Sequence, residues 1–165
     1  MKKTQTATEK QFMAMIERNS STISRVCYVY SQGRDHFNDL YQETLANLWQ
    51  GFGRFRGDAA ESTWIYRVTL NTCITYYRKN SRHYGVLPLD ALYDVAEEVS
   101  TRNEDVKELY RLISCLGKLD RAIIMLWLDE KSYDEIAEIT GLTRANIATR
   151  LHRIKNRLIN EAENE

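Results

Sequence analysis

From Ser132 to Arg157 the chain runs as a short amphipathic segment, a glycine at 141, and then a strongly basic segment. That pattern restricts this part of the protein to two helices meeting at a tight turn. Ser132 and Glu135 have the spacing of a capping box, in which the serine accepts from the third amide and the glutamate reaches back. Gly141 supplies the left-handed residue that ends a helix, and Thr143 is placed to cap the next one. Ile136, Ala137 and Ile139 form the packing face of the first helix. Ile147, Leu151, Ile154 and Leu158 recur at steps of 4, 3 and 4 and form the inward stripe of the second. Arg144, Asn146, Thr149, Arg150, Arg153 and Arg157 fall outside that stripe. Two such helices make a helix-turn-helix, and a basic second helix points to DNA. Arginine pairs with guanine and asparagine with adenine in the major groove. The early positions Arg144, Asn146, Thr149 and Arg150 are therefore the base-reading candidates. Arg153, Lys155 and Arg157 are the phosphate-contact candidates.

A formal net charge of zero argues against nucleic acid only until its distribution is read. Residues 1–83 carry 12 Lys/Arg against 7 Asp/Glu, residues 84–105 carry 1 against 6, and residues 106–165 carry 10 of each. In the last segment the two signs are segregated, with five basic residues and no acid between Leu142 and Asn160. Segregated charge makes strong local fields even when the total cancels. Pro88 is the single proline. With Gly85 and the acidic run behind it, it marks residues 84–104 as an acidic linker. No segment reaches the ~20 apolar residues of a membrane span, and no apolar run follows Lys2 and Lys3 as a secretory signal requires. The expected location is the cytoplasm, with no membrane insertion. Cys27, Cys73 and Cys115 are too scattered for a zinc motif and read as free buried thiols. No metal, cofactor or catalytic constellation is expected.

Ahead of the linker three helices are expected, from about Thr8 to Gln32, Asp35 to Phe52 and Glu61 to Arg82. Phe12, Ile16, Ile23, Val26 and Tyr30 give the first its apolar face. Leu40, Tyr41, Leu45, Leu48, Trp49 and Phe52 give the second its stripe, leaving Asp39, Gln42, Glu43 and Asn47 toward solvent or a partner. In the third, Trp64, Val68, Thr72 and Tyr76 recur every fourth residue and are expected in the core. Arg67, Asn71, Thr75, Arg78 and Arg82 share another face, beside Tyr66, Tyr76 and Tyr77. Cations beside aromatic rings suit single-stranded or melted nucleic acid, since phosphates meet the charges and unstacked bases meet the rings. A solvated basic face with half-buried tyrosines fits that helix equally well. After the linker, Leu109, Leu112, Ile113 and Leu116 form one stripe, residues 117–120 a break, and Arg121 to Asp129 an apolar helix. The fold class is all-α: two small helical domains, 1–83 and 105–165, joined by a flexible linker.

The stretch Asp39–Trp49, then Phe55-Arg56-Gly57, then Ser62–Asn71, resembles region 2 of the bacterial sigma-70 family. Leu126–Leu158 resembles its region 4. The two regions joined only by a linker resemble the extracytoplasmic function (ECF) group. This resemblance implies a sigma factor, a non-enzymatic protein that directs RNA polymerase to promoters. It implies that Asp39, Leu40, Gln42, Glu43, Asn47 and Trp49 dock on the clamp helices of the polymerase β′ subunit. It places Arg54, Arg56, Arg67, Asn71, Arg78 and Lys79 on the −10 element, and Thr143, Arg144, Asn146, Thr149, Arg150 and Arg153 on the −35 element. The β flap and an anti-sigma factor are the further partners implied. Where the family often has a Leu-Pro-Pro turn, this chain has Leu116-Gly117-Lys118.

Two other readings use the same residues. One is a helix-turn-helix regulator that does not bind core polymerase in the manner of a sigma factor. The other is an interaction module that sequesters a partner through its basic helices. Asp39–Trp49 separates them from the first reading, because an ordinary repressor has no use for a docking helix.

Overall fold

The computed structural model describes residues 6–31, 33–80 and 104–164, and among these it contains seven helices and no strand. They are α1 (Ala7–Tyr30), α2 (Arg34–Phe52), α3 (Glu61–Asn80), α4 (Glu104–Ser114), α5 (Lys118–Leu128), α6 (Tyr133–Thr140) and α7 (Arg144–Glu163). Most of the acidic stretch expected as a linker, 84–103, lies outside the described residues.

α1, α2 and α3 pack on one another as a three-helix bundle. α1 opens with a capping box, Thr6 and Glu9, which satisfies two backbone donors at its start. Phe12, Ile16, Ile23, Val26 and Tyr30 are all buried, as their spacing requires, and Met15, Cys27, Tyr28 and Val29 join them. α3 departs from its expected stripe. Its enclosed side chains are Thr63, Ile65, Tyr66, Thr69, Leu70, Thr72 and Cys73. Trp64, Val68 and Tyr76 are only partly buried. The cause is that α3 packs against α1, α2 and also α6, so no narrow stripe describes its inner surface.

The second bundle is α4 to α7. Leu112, Ile113 and Leu116 are buried and Leu109 is partly covered. α5 begins at Lys118, directly after its N-cap Gly117, so of the expected break 117–120 only Gly117 is non-helical, and Asp120 falls in the first helical turn. Ala122 to Leu126 are buried without interruption. α7 extends to 20 residues, and Ile147, Leu151, Ile154 and Leu158 face the core.

The two bundles touch. α1 packs on α4 and α5, and α3 packs on α6. An ion pair joins Arg25 to Asp129, one terminal guanidinium nitrogen donating to both carboxylate oxygens at 2.9 and 2.8 Å. Lys131 Nζ donates to Ser62 Oγ at 2.9 Å. The Tyr30 hydroxyl donates to the Lys118 carbonyl, and the Arg121 guanidinium lies 5.4 Å from the Tyr30 ring centre. Tyr28 and Tyr110 meet edge-on at 5.6 Å. No described helix is long and apolar enough to cross a membrane. Cys27 and Cys73 are buried between helices, whereas Cys115 is exposed, contrary to the expectation that all three are enclosed.

Candidate nucleic-acid and polymerase interface

The outer face of α2 is set by its packing on α1 and α3. Leu40 and Leu48 are driven inward, and Asp39, Gln42 and Glu43, at three- and four-residue spacing, are left outward. Leu40 is 1% exposed, so it supports the helix from beneath and is not part of its outer surface. Asn47 is half-turned inward, its Nδ2 donating to Thr72 Oγ1 at 3.0 Å and fixing α2 on α3. Trp49 is 44% exposed. Its ring meets Phe12 edge-on at 5.0 Å and Phe52 at 6.5 Å. A large apolar ring held rigid by neighbours while presenting its face to solvent is the kind of side chain that anchors interfaces. Asp35 is also exposed, one turn before Asp39. With Glu43 it extends an acidic edge that the sequence reading left one residue short.

The loop between α2 and α3 is pinned at its start by backbone bonds from Arg54 to Gly51 and from Phe55 to Phe52. The Phe55 ring then stacks on Trp64 at 4.8 Å. Trp64 approaches α2 so closely that a Cβ at residue 51 would sit 3.1 Å from its ring, so Gly51 makes room for it. The stacked rings border a cleft of about 330 Å³, which Arg54, Arg56, Asp58 and Arg67 also line. Phe55 and Trp64, which the sequence does not single out among the −10 candidates, line the same cleft as Arg54, Arg56 and Arg67. The signal was there, an aromatic within a basic loop and another on the helix after it, but the four-residue repeat assigned Trp64 to the core. Arg67 also reaches the second bundle, its guanidinium 3.4 Å from the Glu138 carbonyl and 3.7 Å from the Glu138 carboxylate. Asn71 and Thr75 are exposed beside it. Arg78 and Lys79 lie on the last turn of α3, and their side chains are outside the described ones.

The helix-turn-helix is formed as its cap residues dictate. Ser132 Oγ accepts from the Glu135 amide at 3.2 Å, and Glu135 accepts from the Ser132 amide at 2.7 Å. Those bonds hold the Glu135 carboxyl below its ordinary pKa. Gly141 has φ 76°, in the left-handed region. Thr143 Oγ1 accepts from the Asn146 amide at 3.2 Å, so this hydroxyl serves the helix start.

The basic side chains of α7 are differently engaged. Arg144 pairs with Asp134 at 3.1 Å, both well exposed. Thr149 donates to the Ala145 carbonyl. Arg150 is 29% exposed and bonds Asp120 at 2.9 Å through one terminal nitrogen and Asn146 at 2.9 Å through Nε. Its guanidinium is thus engaged on two sides within the fold. Arg153 is exposed and lies 3.6 Å from the other Asp120 oxygen. Lys155 sits over the Trp127 ring at 3.8 Å, and Arg157 pairs with Glu161 at 2.8 Å. Both are less available to phosphates than sequence position implied. His152 is exposed, 3.2 Å from Asn156.

Comparison with known proteins matches both halves. The Sigma-70 region 2 family model covers residues 15–83, and the Sigma-70, region 4 model covers residues 107–158. RNA polymerase sigma factor YlaC of Bacillus subtilis is 30% identical over 126 residues, 71% of this chain and 72% of YlaC. The ECF RNA polymerase sigma-E factor of Escherichia coli is 25% identical over 177 aligned positions, covering 99% of this chain and 92% of that protein. Among solved structures, the sigma factor RpoE in complex with the anti-sigma factor NepR from Bartonella quintana superposes with a TM-score of 0.73 at 20% identity, over 90% of this chain and 94% of that one. CnrH in complex with the cytosolic domain of CnrY gives 0.69 at 17% identity, over 94% and 90%.

Proposed function

The chain belongs to the extracytoplasmic function group of the sigma-70 family, and from that premise we propose how its surfaces divide the work of a sigma factor. α2 docks on the core polymerase, on the β′ clamp helices that the family uses. Asp39, Gln42 and Glu43 supply the polar contacts and Trp49 the apolar anchor, with Asn47 and Leu40 holding the helix in place. Asp39 and Glu43, with Asp35, make that face acidic, and it suits a basic partner surface. The second bundle rests on the β flap and lays α7 in the major groove of the −35 element through Arg144, Asn146, Thr149 and Arg153. The protein works by binding, in the compartment that holds polymerase and promoter DNA, the cytoplasm. Two of the solved relatives are bound to anti-sigma partners, NepR and CnrY, and an anti-sigma factor is the partner proposed here for the docking surfaces.

The observation that carries the −10 assignment is the cleft beside Phe55 and Trp64. It combines an aromatic stack with Arg54, Arg56 and Arg67. Base-on-ring stacking contributes about 1–3 kcal/mol per base, and the arginines meet the backbone of the same strand. A base displaced from the duplex is the species that such a cleft favours over paired DNA. Asn71 and the last turn of α3, with Arg78 and Lys79, continue the track.

The test uses holoenzyme assembled from core polymerase and this protein, on a promoter selected from host genomic fragments. Phe55→Ala is expected to lower open-complex formation, read by permanganate reactivity of unpaired thymines, by about tenfold, within the ~1–3 kcal/mol of one stacked base. Closed-complex binding at the −35 element stays as in the wild type. Wild-type permanganate reactivity in both Phe55→Ala and Arg56→Ala would remove the cleft from the −10 site.

A further inference from the structure

We infer that Asp120, which lies on α5 and outside the reading helix, sets how strictly α7 discriminates between DNA sequences. It does so as a positioning residue, acting through Arg150 on Asn146 and by tethering Arg153. The inference rests on the proposal that α7 reads the −35 element.

Asp120 lies in the first turn of α5, packed against α7. Its carboxylate is placed between two arginines of α7, with Oδ1 2.9 Å from Arg150 and Oδ2 3.6 Å from Arg153. The Asp120 side chain is 21% exposed and that of Arg150 29%, so this pair is partly shielded from water and salt. Arg150 is held on a second side, its Nε donating to Asn146 Oδ1 at 2.9 Å. A relay therefore runs from Asp120 through Arg150 to Asn146, from a partly buried carboxylate to an exposed amide. Because Asn146 Oδ1 is occupied by a donor, the amide orientation is fixed before DNA arrives, and Nδ2 is left as its free donor. Reading adenine requires the amide oxygen and nitrogen in a defined orientation, and an amide ordered in advance loses less freedom on binding.

The same carboxylate limits indiscriminate binding. Phosphate contacts carry affinity but no sequence information. A guanidinium engaged by Asp120 and Asn146 has no free fork for a phosphate, and Arg153 is kept near its carboxylate rather than spread along the backbone. Removing the negative charge frees two cations at once and leaves Asn146 without its orienting chain. DNA of any sequence then binds better, and the preference for one sequence falls.

The experiment uses full-length protein in holoenzyme with core polymerase. Wild type first enriches an upstream block from a pool of random duplexes. Wild type, Asp120→Asn, Asp120→Glu and Arg150→Gln are then compared on that duplex and on one with the block scrambled, across a salt series. For Asp120→Asn, the scrambled duplex is expected to bind several-fold tighter. The slope of log affinity against log salt steepens by about one to two, close to one per phosphate gained. The preference for the selected duplex drops by roughly tenfold, the scale of one base-reading contact. Asp120→Glu keeps most of the preference. Arg150→Gln loses preference without the steeper slope, since it frees no second cation. An Asp120→Asn protein with wild-type preference and slope overturns the inference. So does uniform weakening on both duplexes at an unchanged slope, which makes Asp120 a packing residue only. If the wild type enriches no block, the −35 reading itself fails and the inference falls with it. An enriched block with an indifferent Asp120→Asn leaves the reading standing and removes the inference alone.

Discussion

His36 is 4% exposed at the start of α2, with its ring centre 5.2 Å from that of Tyr76. Burial holds its pKa below the ordinary imidazole value, and the charge of Asp39 opposes that shift only in part. In the unfolded chain the ring protonates near ~6.5, so below that pH the unfolded state binds the proton first. Stability is therefore complete above about pH 6.5 and falls as the pH drops through the window beneath it. Urea midpoints measured between pH 7 and 5.5 should decline for the wild type and stay flatter for His36→Gln. Identical slopes for the two proteins would deny His36 this role. His36 also shows why single residues are the least legible scale in a sequence. A histidine between Asp35 and Phe37 gives no sign of burial until α3 is placed against it. Leu40 and Trp49 both lie on the apolar stripe of α2, yet one is enclosed and the other presents its ring to solvent. Arg150 could not be told from a free base reader, because Asp120 lies thirty positions away and no helical spacing rule connects them.

The helix-turn-helix is the element that the sequence specifies most fully, since its boundaries depend on local chemistry. Ser132, Glu135, Gly141 and Thr143 each act on backbone groups within a few residues, and each does in the fold what its type dictates. Gly141 has φ 76° and a Cβ there would meet nothing within 4 Å, so replacement is penalised by backbone conformation alone. Gly141→Ala should destabilise the second bundle by about 1–2 kcal/mol, lowering its melting temperature by several degrees. Ser132→Ala should cost about 1 kcal/mol through the lost cap. A Gly141→Ala protein melting with the wild type would show that the turn is not held in the left-handed conformation. α3 is the contrasting element. Neighbours on three sides, not a local signal, decide which of its residues are enclosed. The cleft at Phe55 and Trp64 exists only once the loop folds back over the helix, so no local pattern in the sequence marks it.

At the scale of the molecule, two helical bundles meet through Arg25–Asp129, Lys131–Ser62, Tyr30–Lys118 and the Arg67–Glu138 contact. The charges of the two bundles were visible in the sequence as segregated blocks, but the pairing between them was not, since each partner lies beyond the acidic stretch from the other. Of these, Arg67–Glu138 is an exposed ion pair, and such a pair contributes roughly 0–1 kcal/mol, small beside what a polymerase interface supplies. Arg67, proposed for the −10 strand, is held by Glu138 of the helix-turn-helix in this arrangement. Promoter capture therefore has to draw that arginine away from α6. The division of labour between α2, the Phe55–Trp64 cleft and α7 has one direct measurement. Core polymerase purified free of sigma factors is given host genomic fragments, with or without this protein, and the 5′ ends of the transcripts are mapped. New transcripts that start downstream of one shared pair of upstream elements, and that disappear with Trp49→Ala or Phe55→Ala, are the expected result. No transcript above core polymerase alone, with no co-migration of the protein with the polymerase, would contradict it.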